Sequence, residues 1–373
     1  MTDEIPKGWR KCKLGDAIEL LYGKGLKESD RKQGDIPVYG SNGIVGYHND
    51  HLVKGPGIII GRKGSVGEIK YSKRDFFPID TTYYVVTKDG NDMKFLYYYL
   101  LTLQLNTMNS HSAVPGLNRD NVYSLDILLP PLPEQKAIAS VLGSLDDKID
   151  LLHKENQTLE QLAETLFHQW FIEEADDSWE ESTIGDIIEI LSGFPFKSDT
   201  FNESGKYNII TIKAVQDGYL ELSNADKINI VPNNMPSYCY LEQGDILLSL
   251  TGNVGRCCFV DINNNLLLNQ RVAKLKPKNN RDIAYTYIFF RMQNTKQLLE
   301  EMAKGTAQPN LSPIELLQMK ILIPPTNKLE TFAETSNPLI QKLLDNKIHI
   351  RTLENLRDTL LPKLMSGEVR LEI

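Results

Sequence analysis

The sequence predicts an α+β protein in which two repeated globular blocks are separated by a pair of long antiparallel coiled-coil helices, with pseudo-twofold symmetry. Three observations carry this expectation. Four motifs recur in the same order in the two halves of the chain. Each half closes a strand-like run on a double proline, LDILLPP at 125–131 and MKILIPP at 319–325. Each double proline is then followed by a long charged segment with a narrow apolar seam.

The repeat opens at Trp9 (WRKCKLGDAIELLYGKGLK) and again at Trp179 (WEESTIGDIIEILSGFPFKS), with Gly15-Asp16 and Gly185-Asp186 at an offset of 170. Next, IIIGRKGSVGEIKY matches ILLSLTGNVGRCCFV at an offset of 188, and SAVPGLNRDNVYSLDILLPP matches TAQPNLSPIELLQMKILIPP at 194. Last, LDDKID matches LDNKIH at 199. The order is kept and the offset only grows, so the second copy carries loop insertions. The predicted division is a first block over 1–132, a helical region over 133–173, a second block over 174–325 and a second helical region over 326–373.

Within the blocks, GIIIGRKGSVGEIKYS and GDILLSLTGNVGRCCFV read as β-hairpins, apolar β-branched runs joined by glycine-rich turns. TTYYVVT and NQRVAKLKP continue as strands, while KFLYYYLLTLQLNTM and AYTYIFFRMQNTKQLLEEMAK read as buried helices. After the first double proline, Pro133 suits the first helical position and Glu134 complements the helix dipole. The seam then runs Leu142, Leu145, Ile149, Leu152, Asn156, Leu159, Ala163, Leu166, Trp170. The second seam begins behind a cap-like Asn327 and Glu330, is expected to break at Pro338, and resumes as Leu339, Leu343, Asn346, Ile350, Leu353, Arg357, Leu360, Leu364. Two such stripes from one duplicated unit favour pairing with each other. A helix over 133–170 spans roughly 55 Å at 1.5 Å per residue. An antiparallel pair of that length sets the blocks at its two ends, a spacing suited to two modules on one face of a DNA duplex.

Charge alone selects no partner. The chain carries a net charge of −8, but residues 131–178 hold 3 basic and 11 acidic residues, whereas 1–130 hold 17 and 15. The acidity is therefore helical, and either block can still present a basic face. No apolar run reaches 18 residues, so no membrane span is expected, and no secretory signal is read at the start. Cys12, Cys239, Cys257 and Cys258 form no CxxC pair, which points to reduced thiols in a cytoplasmic protein.

No catalytic constellation emerges. GRKGSVG has the wrong spacing for a phosphate loop, no dinucleotide fingerprint opens a helix, and no Asn/Asp-Pro-Pro-aromatic stretch is present. His48-Asn-Asp-His51 lacks further ligands at metal-binding spacing and reads as a polar surface turn. The polar turns are the better candidates. Arg62, Lys63 and Ser65 crowd one glycine turn; Thr251, Asn253 and Arg256 crowd its counterpart. Arg, Lys and Asn suit base edges, and Ser and Thr suit phosphates. Ser41, Asn42 and Tyr47, and likewise Lys197 and Ser198, stand in turns of similar character. Gln270 and Arg271 interrupt an otherwise apolar strand, and Gln308 and Asn310 precede the last strand of the second block. The competing reading of each is an ordinary solvated turn.

YGSNGIVGY, GRKGSVG, PIDTTYYV, PFKSDTF, GDILLSLTGNVGR, LNQRVAKL and AQPNLS, in this order with the two double prolines, resemble the specificity subunits of type I restriction–modification systems, and LPPLPEQKAIASVLGSLDDKID carries the resemblance furthest. The resemblance covers essentially the whole chain. It implies two target-recognition domains, each reading one half of a split double-stranded DNA sequence, with the helices as a ruler for the unread spacer. It also implies docking of two modification subunits that use S-adenosylmethionine, and assembly with restriction subunits that use ATP and Mg2+. This chain itself is then non-catalytic and binds no cofactor or metal. The helical entry Pro-Pro-Thr-Asn-Lys departs from the Pro-Glu-Gln pattern of the first copy. A two-headed adaptor without DNA specificity is the rival expectation.

Overall fold

Strands form where β-branched and aromatic residues cluster between glycine and proline punctuation. The structure, a computed structural model, describes residues 5–108, 116–176, 179–304 and 309–371. It divides into two units, Met1–Lys148 with Leu353–Ile373, and Ile149–Thr352.

The first unit runs β1 (Arg10–Lys13), α1 (Leu14–Ala17), β2 (Ile18–Tyr22), β3 (Ile36–Gly40), β4 (Gly43–His48), β5 (Gly57–Gly61), β6 (Ile69–Ser72), β7 (Phe77–Pro78) and β8 (Thr82–Thr87). There follow α2 (Met93–Thr102), α3 (Arg119–Tyr123), β9 (Asp126–Leu129) and α4 (Leu132–His168), which passes into the second unit at Ile149. A four-stranded antiparallel sheet has the order β2-β8-β5-β6, a smaller sheet the order β4-β3-β7, and β1 pairs with β9. Its main core gathers Leu14, Ile18, Leu20, Ile58, Ile60, Phe95 and Tyr98 with Ile138 and Leu142 of α4.

The second unit repeats the plan. It holds β10 (Glu180–Thr183), β11 (Ile188–Ser192), β12 (Tyr207–Ile210), β13 (Asp226–Ile228), β14 (Tyr240–Leu241), β15 (Ile246–Ser249), β16 (Cys257–Phe259), β17 (Leu266–Leu268) and β18 (Val272–Pro277). Then come α5 (Ile283–Arg291), α6 (Gln293–Met302), α7 (Pro313–Leu317), β19 (Lys320–Ile323) and α8 (Thr326–Ser366), which passes into the first unit at Leu353. The sheets are β11-β18-β15-β16 and β13-β12-β17-β14, with β10 pairing β19. Both predicted hairpins are present, as β5–β6 and β15–β16. Burial pushes the Cys257 thiol up to about 12, and all four cysteines are free.

One of the insertions behind the growing offset lies here. Residues 41–42 turn β3 into β4, whereas 211–225 connect β12 to β13. That longer connection is held down within its unit. Lys347 Nζ donates to the Gly218 carbonyl at 2.6 Å, Arg351 donates to the Leu220 carbonyl, and Asp217 pairs with Arg291 and Lys296. Burial lowers the pKa of Lys347, opposed by Glu160 and Asp261.

Within each unit the segments of α4 and α8 run antiparallel. In the second unit Asn156 faces Asn346 and Phe167 faces Phe332; in the first, Asp146 faces Arg357. The asparagines of the two seams thus meet each other. Asn346 Nδ2 donates to Asn156 Oδ1 and to Glu155 Oε2, both at 3.0 Å. Asn346→Leu leaves Asn156 without its buried partner and is expected to cost about 1–3 kcal/mol. The double change Asn156→Leu/Asn346→Leu should recover most of that loss. Urea unfolding of the four-variant cycle reads the coupling, and additive losses would refute it.

Three helix expectations need correction. Pro338 does not break α8, which is continuous over Thr326–Ser366. Pro338 and Glu334 are both exposed, so the carbonyl that loses its donor lies on the wet side. Meanwhile buried Ser336, Ile340 and Leu343 anchor the helix on either side of the proline, and the Asn337 side chain accepts from Ala284 N and donates to Arg281 O. Conversely, the segment after Ala284 is two helices: Met292 is extended, and its neighbour Arg291 is pinned to Glu160 at 2.7 Å. Pro133 takes the second helical position rather than the first, behind Leu132, where its missing N–H is equally harmless.

Glu134 and Gln135 do more than complement a dipole. Glu134, 2% exposed, accepts from Trp9 Nε1 at 3.0 Å and from the Arg370 guanidinium at 2.8 and 3.0 Å. Gln135 accepts from Asp92 N and donates to Asn91 Oδ1 and the Pro130 carbonyl. The double proline is thus locked to the block by a buried polar network. In the second unit the equivalent position is Lys328, whose Nζ stands 5.3 Å over the Trp179 ring and 3.4 Å from Glu174.

Candidate nucleic-acid interface

Each block builds the same loop cluster from three chain segments. In the first block the glycine turn leaving β5 is closed by Gly67 N donating to Gly61 O at 2.8 Å. Arg62 N and Lys63 N donate to Thr81 O in the β7–β8 turn, at 2.9 and 3.1 Å. Leu117 N donates to Arg62 O, and Lys63 bridges Gly116. In the second block Gly255 N donates to Ser249 O, Leu250 N to Arg271 O and Leu311 N to Leu250 O, while Thr251 bridges Asn310. Gly67 has to be glycine: its φ is +75°, and a Cβ would stand 2.3 Å from the Leu105–Asn106 backbone.

The candidates divide into those this cluster gathers and those it does not. Arg62, Lys63 and Ser65 lie on the first turn, and Ser41 and Asn42 lie beside it, Ser41 Oγ being 3.2 Å from where a Gly64 Cβ would stand. Tyr47 is half exposed farther along β4, opposite Pro37. Thr251, Asn253, Arg256 and Asn310 surround the second turn, where Gly252, Asn253, Arg256, Asp217, Lys296 and Lys304 line a cleft of about 500 Å3. Thr251 Oγ1 is buried there and has no hydrogen-bond partner among the described residues, and Arg256 NH1 is held by Gln216 Oε1 at 2.6 Å. Lys197 and Ser198 are exposed at the short helical turn Ser198–Thr200; among the described residues no hydrogen bond ties them to the cluster. Gln308 lies outside the described residues.

Two readings are corrected. Gln270 and Arg271 are not inside a strand: they form the turn between β17 and β18, closed by Val272 N donating to Asn269 O at 2.9 Å and by Asn269 Oδ1 accepting from Arg271 N. Asn269 supplies the turn chemistry that the surrounding apolar residues masked. That turn brings the Arg271 backbone against the glycine turn, the place held by Thr81 in the first block. His48 is not on a surface turn. It is buried at the end of β4, where Nδ1 accepts from Lys32 N at 2.9 Å and the ring meets Phe77 edge-on. Among the described residues no group of three or more His, Cys, Asp or Glu side chains could hold a metal.

Sequence reasoning missed Tyr22 and Arg119. Arg62 Cζ stands 5.2 Å and Arg119 Cζ 5.5 Å from the centroid of the exposed Tyr22 ring. Tyr22 leans on Tyr83, centroids 5.1 Å apart, and burial together with the Tyr22 hydrogen bond pushes the Tyr83 phenol up to about 12. Arg62 donates through Nε and NH2 to the Asp80 carbonyl, and Arg119 NH1 donates to Leu20 O at 3.4 Å. Among the described residues neither guanidinium has a carboxylate within 4 Å. The three residues are remote in sequence and meet only through the β2–β8 pairing and the N-terminus of α3, so no local signal marks them.

The family model for the type I restriction modification DNA specificity domain matches residues 6–161 and again 176–359. The MjaIX type I restriction enzyme specificity subunit of Methanocaldococcus jannaschii is 25% identical over 99% of this chain and 95% of its own length. The HindI specificity subunit of Haemophilus influenzae is 21% identical over 79% of this chain and 82% of its own. The crystal structure of a type I restriction–modification S subunit from M. genitalium superposes with a TM-score of 0.67 at 21% identity, covering 98% and 97% of the two chains. No helix among the described residues is long and apolar enough to cross a membrane.

Proposed function

The chain belongs to the type I restriction–modification DNA specificity family, and from that premise we propose that it is the non-catalytic subunit that chooses the DNA sequence such a complex acts on. Residues 1–132 and 174–325 are the two reading domains, one per half of a split target. Residues 133–173 and 326–373 set the unread spacer and dock two modification subunits. The observation that carries this is the loop cluster built once in each block, with its Lys63–Gly116 and Thr251–Asn310 bridges at equivalent places. Paired polar turns on two rigid scaffolds are what a two-part target requires. A two-headed adaptor would need neither the duplicated cluster nor a family match over both blocks.

S-adenosylmethionine belongs on the modification subunits, and ATP and Mg2+ on restriction subunits where these join the assembly. The working compartment is the cytoplasm. With a net charge of −8, the isolated chain releases few counterions and should bind duplex DNA weakly until the modification subunits complete a positive clamp. Tight binding by the isolated chain, measured by fluorescence anisotropy at about 0.15 M salt, would refute that division of labour.

Single-molecule methylation sequencing of the host genome, with and without this gene, tests the function. Loss of methyladenine at one split motif is the expected result, and exchanging residues 1–132 should then rewrite one half only. An unchanged methylation map in the presence of an active modification subunit would exclude the role.

A further inference from the structure

In the first block two guanidiniums approach one tyrosine ring, and the equivalent positions of the second block carry no cation. Tyr22 pairs with Tyr83 across β2 and β8; the equivalent pair across β11 and β18 is Ser192 with Ala273. Arg62 receives Leu117 N and donates to Thr81 O; the residue with the same two backbone bonds in the second block is Leu250. Arg119 is the first residue of α3, behind the N-cap Asn118; the first residue of α7, behind the N-cap Ser312, is Pro313. The scaffold is shared, and the guanidinium–tyrosine cluster is not.

That asymmetry separates two chemistries. Both halves of a split target present the same phosphate backbone, so a phosphate contact is useful to both blocks alike. A contact to base edges differs between the halves, because their sequences differ. The geometry agrees. Two backbone carbonyls and the Tyr22 ring fix the orientation of Arg62 and Arg119, and a planar fork held in one orientation suits the O6 and N7 acceptors of guanine. The like charges, with no carboxylate within 4 Å of either among the described residues, leave an acceptor to be supplied by the ligand.

We propose that Tyr22 and Arg119 join Arg62 as the base-reading centre of the first block, with the guanidinium pair taking the major-groove edge of a guanine. This rests on the specificity role proposed above. The test uses the complex of this chain with its modification subunits, methylating duplexes in which each half-site is randomised in turn. Arg119→Ala is expected to relax discrimination at one G·C position of the half read by residues 1–132, by roughly 5- to 150-fold, and to leave the other half unchanged. Arg119→Lys keeps the charge and loses the fork, so it should relax the same position while the salt dependence of binding stays as in the wild type; it also serves if the alanine variant does not fold. Uniform weakening over all sequences with a salt slope lower by about one would make this a phosphate contact and overturn the proposal. No change, or relaxation at an A·T position, overturns it too. Exchange of residues 1–132 runs in parallel: if that leaves both half-sites unaltered, the specificity role itself falls, whereas a rewritten first half beside an inert Arg119→Ala removes only the guanine assignment.

Discussion

Phe332→Ala is expected to destabilise the second unit by about 3–5 kcal/mol, the cost of emptying a buried aromatic site. Phe332 is fully buried on α8, where the rings of Phe171, Trp170 and Phe167 approach it at centroid distances of 4.7, 5.9 and 6.0 Å. These rings join the end of α4 and the helical turn Gln169–Glu173 that continues it to the start of α8, so a cavity there loosens the helices where they leave the second block. Unfolding of a chain with two units is not a single transition, so the readout must be local. The chain has three tryptophans, of which Trp170 and Trp179 lie in the second unit and Trp9 in the first. In a Trp9→Phe background, urea unfolding followed by tryptophan fluorescence reports the second unit. A loss below about 1 kcal/mol would mean that the aromatic cluster collapses around the gap and does not hold the helices.

Glu134→Ala should cost about 1–3 kcal/mol through the orphaned indole N–H of buried Trp9 alone. Lys328→Ala, at the equivalent place in the second unit, should cost only about 0.5–1 kcal/mol, because a half-exposed cation over a ring replaces the buried acceptor there. Glu134→Lys copies the second arrangement beneath Trp9 but sets Lys against Arg370, so it should be the most damaging single change at this junction. Adding Arg370→Glu restores an opposite-charge pair and should recover much of the loss. Thermal unfolding of the cycle decides: if Glu134→Lys and the double variant melt alike, the ion pair plays no part in holding the helix to the block.

A good part of this molecule was legible in the chain. The ordered repeats, with an offset that only grows, predicted two copies of one block and loop insertions in the second, one of which is the 211–225 connection. The glycine hairpins and the apolar seams appeared where the periodicity put them, and Asn156 and Asn346, read as polar breaks in two separate stripes, meet. Of the candidate residues, those of the two glycine turns and Asn310 are brought together by the fold, whereas among the described residues no hydrogen bond ties Lys197 or Ser198 to them.

By itself, then, the sequence determined the duplication, the hairpins, the seams and the double-proline exits, because each is written in a short window by alternation, by 3–4 spacing or by a residue with restricted backbone freedom. Only the tertiary structure decided which residues meet. It set Arg62 and Arg119 over Tyr22, turned Gln270 and Arg271 out of a strand through the Asn269 side chain, and gave Glu134 its partners Trp9 and Arg370. It also carried α8 straight through Pro338, since the freed carbonyl faces water and buried neighbours hold both flanks. Those outcomes depend on burial and on contacts between residues far apart in the chain, and no local window contains them.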